Sequence, residues 1–429
     1  MASEHCKCPN CDGVLEYRAD HRKFGCESCL SFFSDEQVKT MFRGKSRSDS
    51  KEQKSSDGRA EEFCRGSLFR CSECGAEMIT AYGKKLENCA FCGGTPDREE
   101  SLPEEYLPEC IIPFEITRDR AAEIFRESIS PKKFAVSGLC SDDSLGRIRG
   151  IYVPVWMADC SVSINMNGTG KVVKSWVHDV HRYTETKEFA AERKADAEYT
   201  SVPSDFTGIL GSDCSEFLQN YDFGKLKRIE PSDLLTHPAE YCTVNKGEAF
   251  RCVREKVTVD VRNVLKNSVS DYAEFDVKNE EIDILGTKWC LGLLPVWLLT
   301  FRSGGKTYRF TVNGQNGEFT GAPPVSVKKL ALFGAAAVLG VTLLYRLADT
   351  LAGFSGSPES SGYAFRGYGI GAIAGTAAAI TAIALLLKRY RPVHREISEV
   401  CNGEGETFFT AKYDRYVRQY TTKIKTEEA

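Results

Sequence analysis

Apolar positions along this chain recur with different periods in different stretches, and each period predicts a different element. After Thr117, a residue suited to an N-cap, Ala121, Ile124, Phe125 and Ile129 fall on one helical face until Pro131 stops the run. Phe250, Val253, Val257, Val261 and Val264 recur every three or four residues, with Leu265 on the same face, and predict a second amphipathic helix. Ser34-Asp35-Glu36-Gln37 has capping-box form and predicts a short helix ending near Phe42. Two phrases, Ile151-Tyr152-Val153-Pro154-Val155-Trp156 and Leu293-Leu294-Pro295-Val296-Trp297, read as strands entered beside a proline. A turn at Asn167-Gly168 is expected after the first. Ser303-Gly304-Gly305-Lys306, a strand over Tyr308–Val312 and a turn at Asn313-Gly314 are expected after the second. The likeness of the two phrases predicts a diverged internal duplication.

Two longer apolar segments follow. Leu330–Tyr345 lies between Lys328, Lys329 and Arg346, and Gly367–Leu387 lies between Arg366 and Lys388, Arg389, Arg391. At about 1.5 Å per residue the second covers the ~30 Å hydrocarbon layer, whereas the first reaches about 24 Å and needs a thinned bilayer or snorkelling cations. The competing reading is a buried helical hairpin of a soluble domain; the tight charge brackets favour a two-helix transmembrane hairpin. Basic residues concentrate at the outer ends of the pair, Lys328, Lys329, Lys388, Arg389, Arg391 and Arg395. The positive-inside rule therefore predicts a multi-pass protein of the cell (inner) membrane with both termini cytoplasmic. Gly371-x3-Gly375 permits close helix contact, within the hairpin or in a homo-oligomer through the transmembrane helices.

Cysteine spacing changes the picture of the N-terminal part. Cys8-x2-Cys11, fourteen residues, Cys26-x2-Cys29 is repeated 63 positions later as Cys71-x2-Cys74, fourteen residues, Cys89-x2-Cys92. Four thiolates from two knuckles make a closed tetrahedral cage, so two structural zinc ions are expected on these eight residues. A rubredoxin-like iron site is the sharper alternative, and the short gap within each quartet favours zinc. Cys6 breaks the knuckle spacing, while His5 and His21 stand close in sequence. The remaining cysteines among the 18 form no further CxxC pair, and no signal peptide precedes Cys6, so a reducing cytoplasm is expected.

Charge and motifs narrow the function classes. Net charge is −4, from 56 basic and 60 acidic side chains, which gives no general attraction for polyanions. Basic and acidic residues also balance locally around both quartets, leaving His21-Arg22-Lys23 and Lys84-Lys85 as small basic patches. His178-Asp179-x-His181 lacks a third ligand and reads as a solvated segment. Gly304-Gly305-Lys306-Thr307 has Thr300 where a phosphate loop needs glycine, and reads as a hairpin turn. Four thiolates leave no open position for a catalytic zinc. No catalytic residues, no cofactor-binding residues and no enzyme activity are therefore predicted. The basic run Lys388–Arg395 suits topology more than specific binding to anionic headgroups of the lipid bilayer.

The ribbon, followed by "IIPF" (111–114), "IRGIYVPVW" (148–156), "LLPVWLL" (293–299), "KTYRFTVNGQNGEFTG" (306–321) and paired apolar segments, resembles bacterial membrane proteins of uncharacterised function that contain a transcription factor IIB-type zinc ribbon. The resemblance covers most of residues 64–390. It implies a membrane-anchored protein with a cytosolic zinc-ribbon head, and this chain carries an extra N-terminal quartet.

The expected fold class is multidomain: two small β-knuckle zinc ribbons, an α+β soluble domain with antiparallel strands, and the transmembrane hairpin. The expected boundaries are ribbon 1 with a short helix at 1–43, a disordered linker at 44–60 and ribbon 2 at 61–95. An acidic hinge at 96–109 and the α+β cytosolic domain with two Pro-Val-Trp hairpin modules at 110–321 follow. The membrane part comprises a helix at 328–346, an external loop at 347–366 and a helix at 367–387, and a cytosolic tail at 388–429 ends the chain. The expected function is that of a non-enzymatic adaptor or assembly factor binding a partner protein at the cytoplasmic membrane face. A membrane-tethered nucleic-acid-binding or transcription-linked module is the alternative.

Overall fold

The computed structural model describes residues 7–39 (without 19 and 22), 67–101 (without 82 and 83), 107–204, 220–351, parts of 376–385, and 404–425. The expected linker 44–60, most of the 347–366 loop, most of the second apolar segment including Gly371 and Gly375, and Cys6 lie outside the described residues. Near the N-terminus β1 (Leu15–Arg18), β2 (Lys23–Cys26) and β3 (Phe32–Phe33) form a small antiparallel sheet. Ser34 then starts a helical turn as the capping box predicts: its N–H donates to Gln37 Oε1 at 2.8 Å, and the Gln37 N–H donates to Ser34 Oγ at 3.2 Å.

Ribbon 2 consists of β4 (Ser67–Cys71), β5 (Glu77–Thr80) and β6 (Pro96–Ser101). β6 pairs with β4, so the start of the stretch read as an acidic hinge is a strand. The body contains β7 (Cys110–Ile111), α1 (Arg118–Ile129), α2 (Asp142–Leu145), β8 (Arg149–His178), β9 (His181–Pro203), β10 (Lys227–Arg228), β11 (Ala239–Glu240), α3 (Lys246–Asn267), β12 (Glu274–Ser303), β13 (Lys306–Asn313) and β14 (Phe319–Thr320). α4 (Val327–Leu351) and β15 (Glu404–Lys425) complete the described elements.

Both predicted helices form. Thr117 caps α1, which buries Ala121, Phe125 and Ile129; Asn245 caps α3, which buries Phe250, Val253, Val257, Val261 and Leu265. The valine content of α3 does not break it, because five points of its apolar stripe lie against the sheet and tertiary burial outweighs a small propensity deficit.

One antiparallel system dominates the molecule. β8 and β12 pair from Arg149/Leu298 out to Lys171/Glu274, β9 lies on the other edge of β8, and β15 lies on β9. At ~3.3 Å per residue, a 30-residue strand such as β8 is about 100 Å long. Beyond Lys171 only β8, β9 and β15 continue among the described residues, and β8 is exposed at every position from Val173 to His178. The result is a blade that projects from the body.

The expected turn at Asn167-Gly168 does not form; both residues sit mid-strand, opposite Asn279 and Val277. Glycine serves close approach here. A Cβ on Gly168 would fall 2.4 Å from the Asp276 carbonyl oxygen, and one on Gly170 would fall 2.5 Å from the Tyr272 ring. The chain reverses instead at Asp179-Val180, with Asp179 at φ +54°, so His178 pairs directly with His181 across the hairpin. The reversals after Ser303 and Asn313 occur where expected, with Gly304 and Gly305 both at positive φ.

The two Pro-Val-Trp phrases lie side by side in β8 and β12, with Val153 opposite Leu294, Tyr152 opposite Pro295 and Pro154 opposite Leu293. Aligning the phrases on their prolines makes Val153 and Leu294 counterparts, so a local twofold passes through that pair. The tryptophans obey it: Trp156 Nε1 donates to Val244 O at 2.8 Å and Trp297 Nε1 to Ile116 O at 2.9 Å. Each indole thus holds the residue just before the N-cap of one helix, α3 or α1.

The two-helix transmembrane hairpin is reduced to one candidate span among the described residues, Val327–Leu344, with a mean hydropathy of 1.8 and none of it buried. α4 begins against the body: Lys329 Nζ donates to Ala135 O at 2.9 Å, and the rings of Phe134 and Phe333 meet at 5.2 Å.

Candidate metal centres

Each quartet is assembled from two copies of one backbone turn. In the first knuckle the Cys8 N–H donates to Gly13 O and the Asp12 N–H to Cys8 O. The same pair of bonds links Cys26 with Ser31 and Leu30, Cys71 with Ala76 and Gly75, and Cys89 with Gly94 and Gly93. The fourth residue after the leading cysteine has positive φ in every case: Asp12 (+59°), Leu30 (+59°), Gly75 (+73°) and Gly93 (+80°). This turn aims both sulfurs of a CxxC unit to one side.

The knuckles then face each other. Cys8 Sγ lies 3.6 Å from Cys29 Sγ, and Cys11 Sγ lies 3.4 Å from Cys26 Sγ. In ribbon 2 Cys71 is 3.5 Å from Cys92 and Cys74 is 3.6 Å from Cys89. A tetrahedron with Zn–S bonds of ~2.3 Å has edges of about 3.8 Å, so both sets fit one zinc ion each with little adjustment. All four ligand atoms of each set lie within 4.8 Å of one another. The eight cysteines expected to bind zinc are therefore brought together as two groups, Cys8, Cys11, Cys26, Cys29 and Cys71, Cys74, Cys89, Cys92.

Electrostatics point the same way. Contact with the sulfurs of Cys11 and Cys29, with burial, holds the Cys8 thiol far above its ordinary value. Contact with Cys29 pushes Cys11 up to about 12, and burial pushes Cys74 up to about 11. Four crowded sulfurs cannot all be anionic without a cation among them; a divalent ion removes that penalty and holds them as thiolates. With four sulfur ligands the sites are closed and suited to holding structure.

The environments of the two sites differ. All four sulfur ligands of ribbon 1 are buried, whereas Cys74 is exposed and Cys92 half-buried in ribbon 2. Ribbon 1 docks through a loop. Trp289 Nε1 donates to Asn10 O at 2.7 Å, the Thr287 N–H donates to Pro9 O at 3.2 Å, and Asn10 Nδ2 donates to Ile284 O at 3.3 Å. A bulge between Ile284 and Gly286 in β12 leaves groups free for that loop. Lys246 Nζ pairs with Asp12 at 2.7 Å. Ribbon 2 is joined by backbone: β11 pairs antiparallel with β5 and parallel with β8, making ribbon 2 the edge of a 12-stranded sheet.

Sequence reasoning left other features unassigned. Asn10 is 1% exposed and organises the ribbon 1 contact, yet nothing in its local sequence distinguishes it from a turn residue. β15 falls within the stretch expected as a cytosolic tail, although Thr407–Ile424 is rich in aromatic and β-branched residues, a composition that favours a strand. The sulfurs of Cys110 on β7 and Cys290 on β12 lie side by side, across strands that are 180 residues apart in sequence. His178 and His181 stand at the blade tip; His178 Nδ1 is 3.1 Å from Asp179 Oδ2, and its side chain is 73% exposed, in keeping with a solvated segment.

The chain is similar to a protein of Bacillus subtilis (strain 168) described as "Uncharacterized protein YdjG", with 25% identity over 352 residues that span 81% of this chain and 98% of that protein. No family model matches the chain, and no solved structure matches it.

Proposed function

We propose that this chain is a membrane-anchored adaptor that holds a partner protein at the cytoplasmic membrane face, with its zinc sites serving as structural clasps. The observation carrying this reading is the end of the blade. Trp176, Val177 and Val180 are 44%, 60% and 53% exposed on a hairpin that only its own strands and β15 accompany among the described residues. A soluble surface rarely gathers large apolar side chains at a projecting tip unless something binds there. Lys174, Glu185, Arg182, Lys423 and Asp179 surround these side chains, so the partner surface is expected to be apolar with a rim of both charges.

The membrane setting is supported by α4, by the charge brackets and by the resemblance to bacterial membrane proteins with a transcription factor IIB-type ribbon. A second crossing is supported by the apolar run to Leu387 and by one contact: a Cβ on Gly334 would lie 3.4 Å from Ile383 Cδ1. With both termini on the cytoplasmic side, the eight zinc thiolates stay in a reducing medium.

Crosslinking in native membranes with a photoreactive residue at position 177 tests the reading. Capture of one defined protein is expected, with capture lost in Trp176→Ala/Val180→Asp chains that retain two zinc equivalents. Equal capture by that variant, or no capture by the parent chain, would refute the tip as the adaptor surface.

A further inference from the structure

On the reading that each quartet holds zinc, we infer that peroxide opens ribbon 2 through oxidation of Cys74 while ribbon 1 keeps its ion. Bound to zinc, all eight sulfurs are thiolates, so access decides which of them an oxidant reaches. Cys74 alone of the eight is exposed. Its neighbours Ser72, Glu73 and Gly75, at the tip of the same knuckle, are exposed as well. A Cβ added to Gly75 or to Gly93, at the two knuckle tips of ribbon 2, would meet nothing within 4 Å. The corresponding tips of ribbon 1 are held from α3: Lys246 Nζ lies 2.7 Å from the Asp12 carboxylate, and Arg254 Nη1 donates to Leu30 O at 3.4 Å. Glu73 stands where ribbon 1 has Asn10. Glu73 is exposed, whereas Asn10 is 1% exposed and bonded to β12.

The Cys74 thiolate attacks one oxygen of hydrogen peroxide, the O–O bond breaks and hydroxide leaves. Sulfur thereby loses two electrons to the peroxide and becomes a sulfenic acid. Cys89 Sγ lies 3.6 Å from Cys74 Sγ. Its thiolate attacks the Cys74 sulfur, the S–O bond breaks and a second hydroxide leaves, so a Cys74–Cys89 disulfide forms. Two protons from solvent convert the hydroxides to water. Two thiolates then remain where four held the ion, and the site opens. A thiol reductant reverses the change by exchange. The opening reaches the body along one route. β5 pairs with β11, and Phe91, between Cys89 and Cys92, is 2% exposed in a buried cluster with Ile151, Val153, Leu294 and Val296. Oxidation therefore loosens this sheet edge and leaves the separate cluster of ribbon 1 and α3 in place.

The test titrates the purified, reduced, zinc-loaded full-length chain with hydrogen peroxide. Zinc release is followed with a colorimetric indicator, and oxidised cysteines are located by mass spectrometry of peptides. One equivalent should leave about tenfold faster than the other. Cys74 and Cys89 should then be joined, the ribbon 1 cysteines still reduced, and zinc binding restored by dithiothreitol. Hydrogen exchange should rise in 67–101 and stay unchanged in 246–267. Cys74→His keeps a permitted zinc donor and removes the exposed sulfur, so this variant should release its first ion about tenfold more slowly. Fewer than two zinc equivalents before oxidant would refute the zinc reading itself. With two present, any of four results overturns the inference: loss of both ions at one rate, loss from ribbon 1 first, retention of both at peroxide levels that oxidise free cysteine, or release with Cys74 unmodified. A Cys74→His chain that holds two ions and releases one as fast as the parent overturns it too.

Discussion

The two zinc ribbons share ligand spacing, knuckle hydrogen bonds and sulfur geometry, yet they are fastened to the molecule in opposite ways. Ribbon 1 presents a loop, Pro9-Asn10, to a bulge in β12, and all four of its cysteines are buried as a result. Ribbon 2 lends a strand edge to the main sheet and keeps Cys74 at the surface. The knuckles differ in kind as well. Ribbon 2 places glycine at both positive-φ positions, Gly75 and Gly93, whereas ribbon 1 uses Asp12 and Leu30. Local metal geometry is thus independent of how the ribbon is attached, and attachment decides which ion solvent can reach.

The largest expected effect breaks that comparison at the metal. Cys29→Ser should reduce zinc from two equivalents to one and unfold ribbon 1, at a cost on the order of 5 kcal/mol or more, because structural zinc binding contributes about 10 kcal/mol. Its buried sulfur also packs in the cluster of α3 and β8, so the loss should loosen the body, read by hydrogen exchange in α3. Cys74→Ser should also remove one ion but leave α3 protected. In the parent chain a chelator should strip the ribbon 2 ion first, followed by a colorimetric zinc indicator.

Arg193 provides the next test, at the far end of the body. It is 3% exposed and grips β15 through two bonds to Asp414, at 2.7 and 3.2 Å, and one to Tyr413 O, while its Nε reaches Ser268 O after α3. Arg193→Ala should weaken β15 docking by ~2–3 kcal/mol, visible as faster proteolysis within 404–425. Burial acts most strongly and raises the Asp414 carboxyl, but the bonds from Arg193 and Tyr272 together with the Arg193 charge outweigh it, and the net position is below ordinary. A lowered folded pKa gives stability that is complete above the unfolded carboxylate value, near pH 4, and is lost as pH falls further. Proteolysis of β15 should accordingly rise on acidification below about pH 4, and lose that dependence in Arg193→Ala.

Asn10→Ala removes the bond to the bulge carbonyl of Ile284 and should cost about 1–3 kcal/mol in ribbon 1 docking. Thermal unfolding monitored at Trp289 should show the loss, with zinc content unchanged. The smallest effect sharpens the knuckle comparison. Leu30 is 53% exposed and held at positive φ, so Leu30→Gly should be neutral or stabilise by up to about 1 kcal/mol. Gly75→Ala should destabilise ribbon 2 by about 1 kcal/mol or more, measured by chemical denaturation.

The eight ligands were legible because zinc chemistry ties function to spacing within a few residues. α1 and α3 were legible because amphipathic periodicity is local, and Thr117 marked one start. Gly168 misled because the same residue suits a turn or a crowded strand; the Tyr272 and Phe275 rings that crowd strand β8 are about a hundred positions away in sequence. β15 was passed over because alternation alone names no partner, and its register with β9 joins positions more than two hundred residues apart.

By itself the chain determined the two sulfur cages, the amphipathic helices, the tight reversals at Gly304-Gly305 and an apolar helix long enough to cross a bilayer, since each depends on neighbours within about one or two turns of backbone. Tertiary structure alone decided that one cage is buried and the other half open, that two Pro-Val-Trp phrases meet across a local twofold, and that a C-terminal strand completes the blade. Those outcomes depend on which distant strands pair and what they cover, and pairing energy between remote segments leaves no periodic mark in either one.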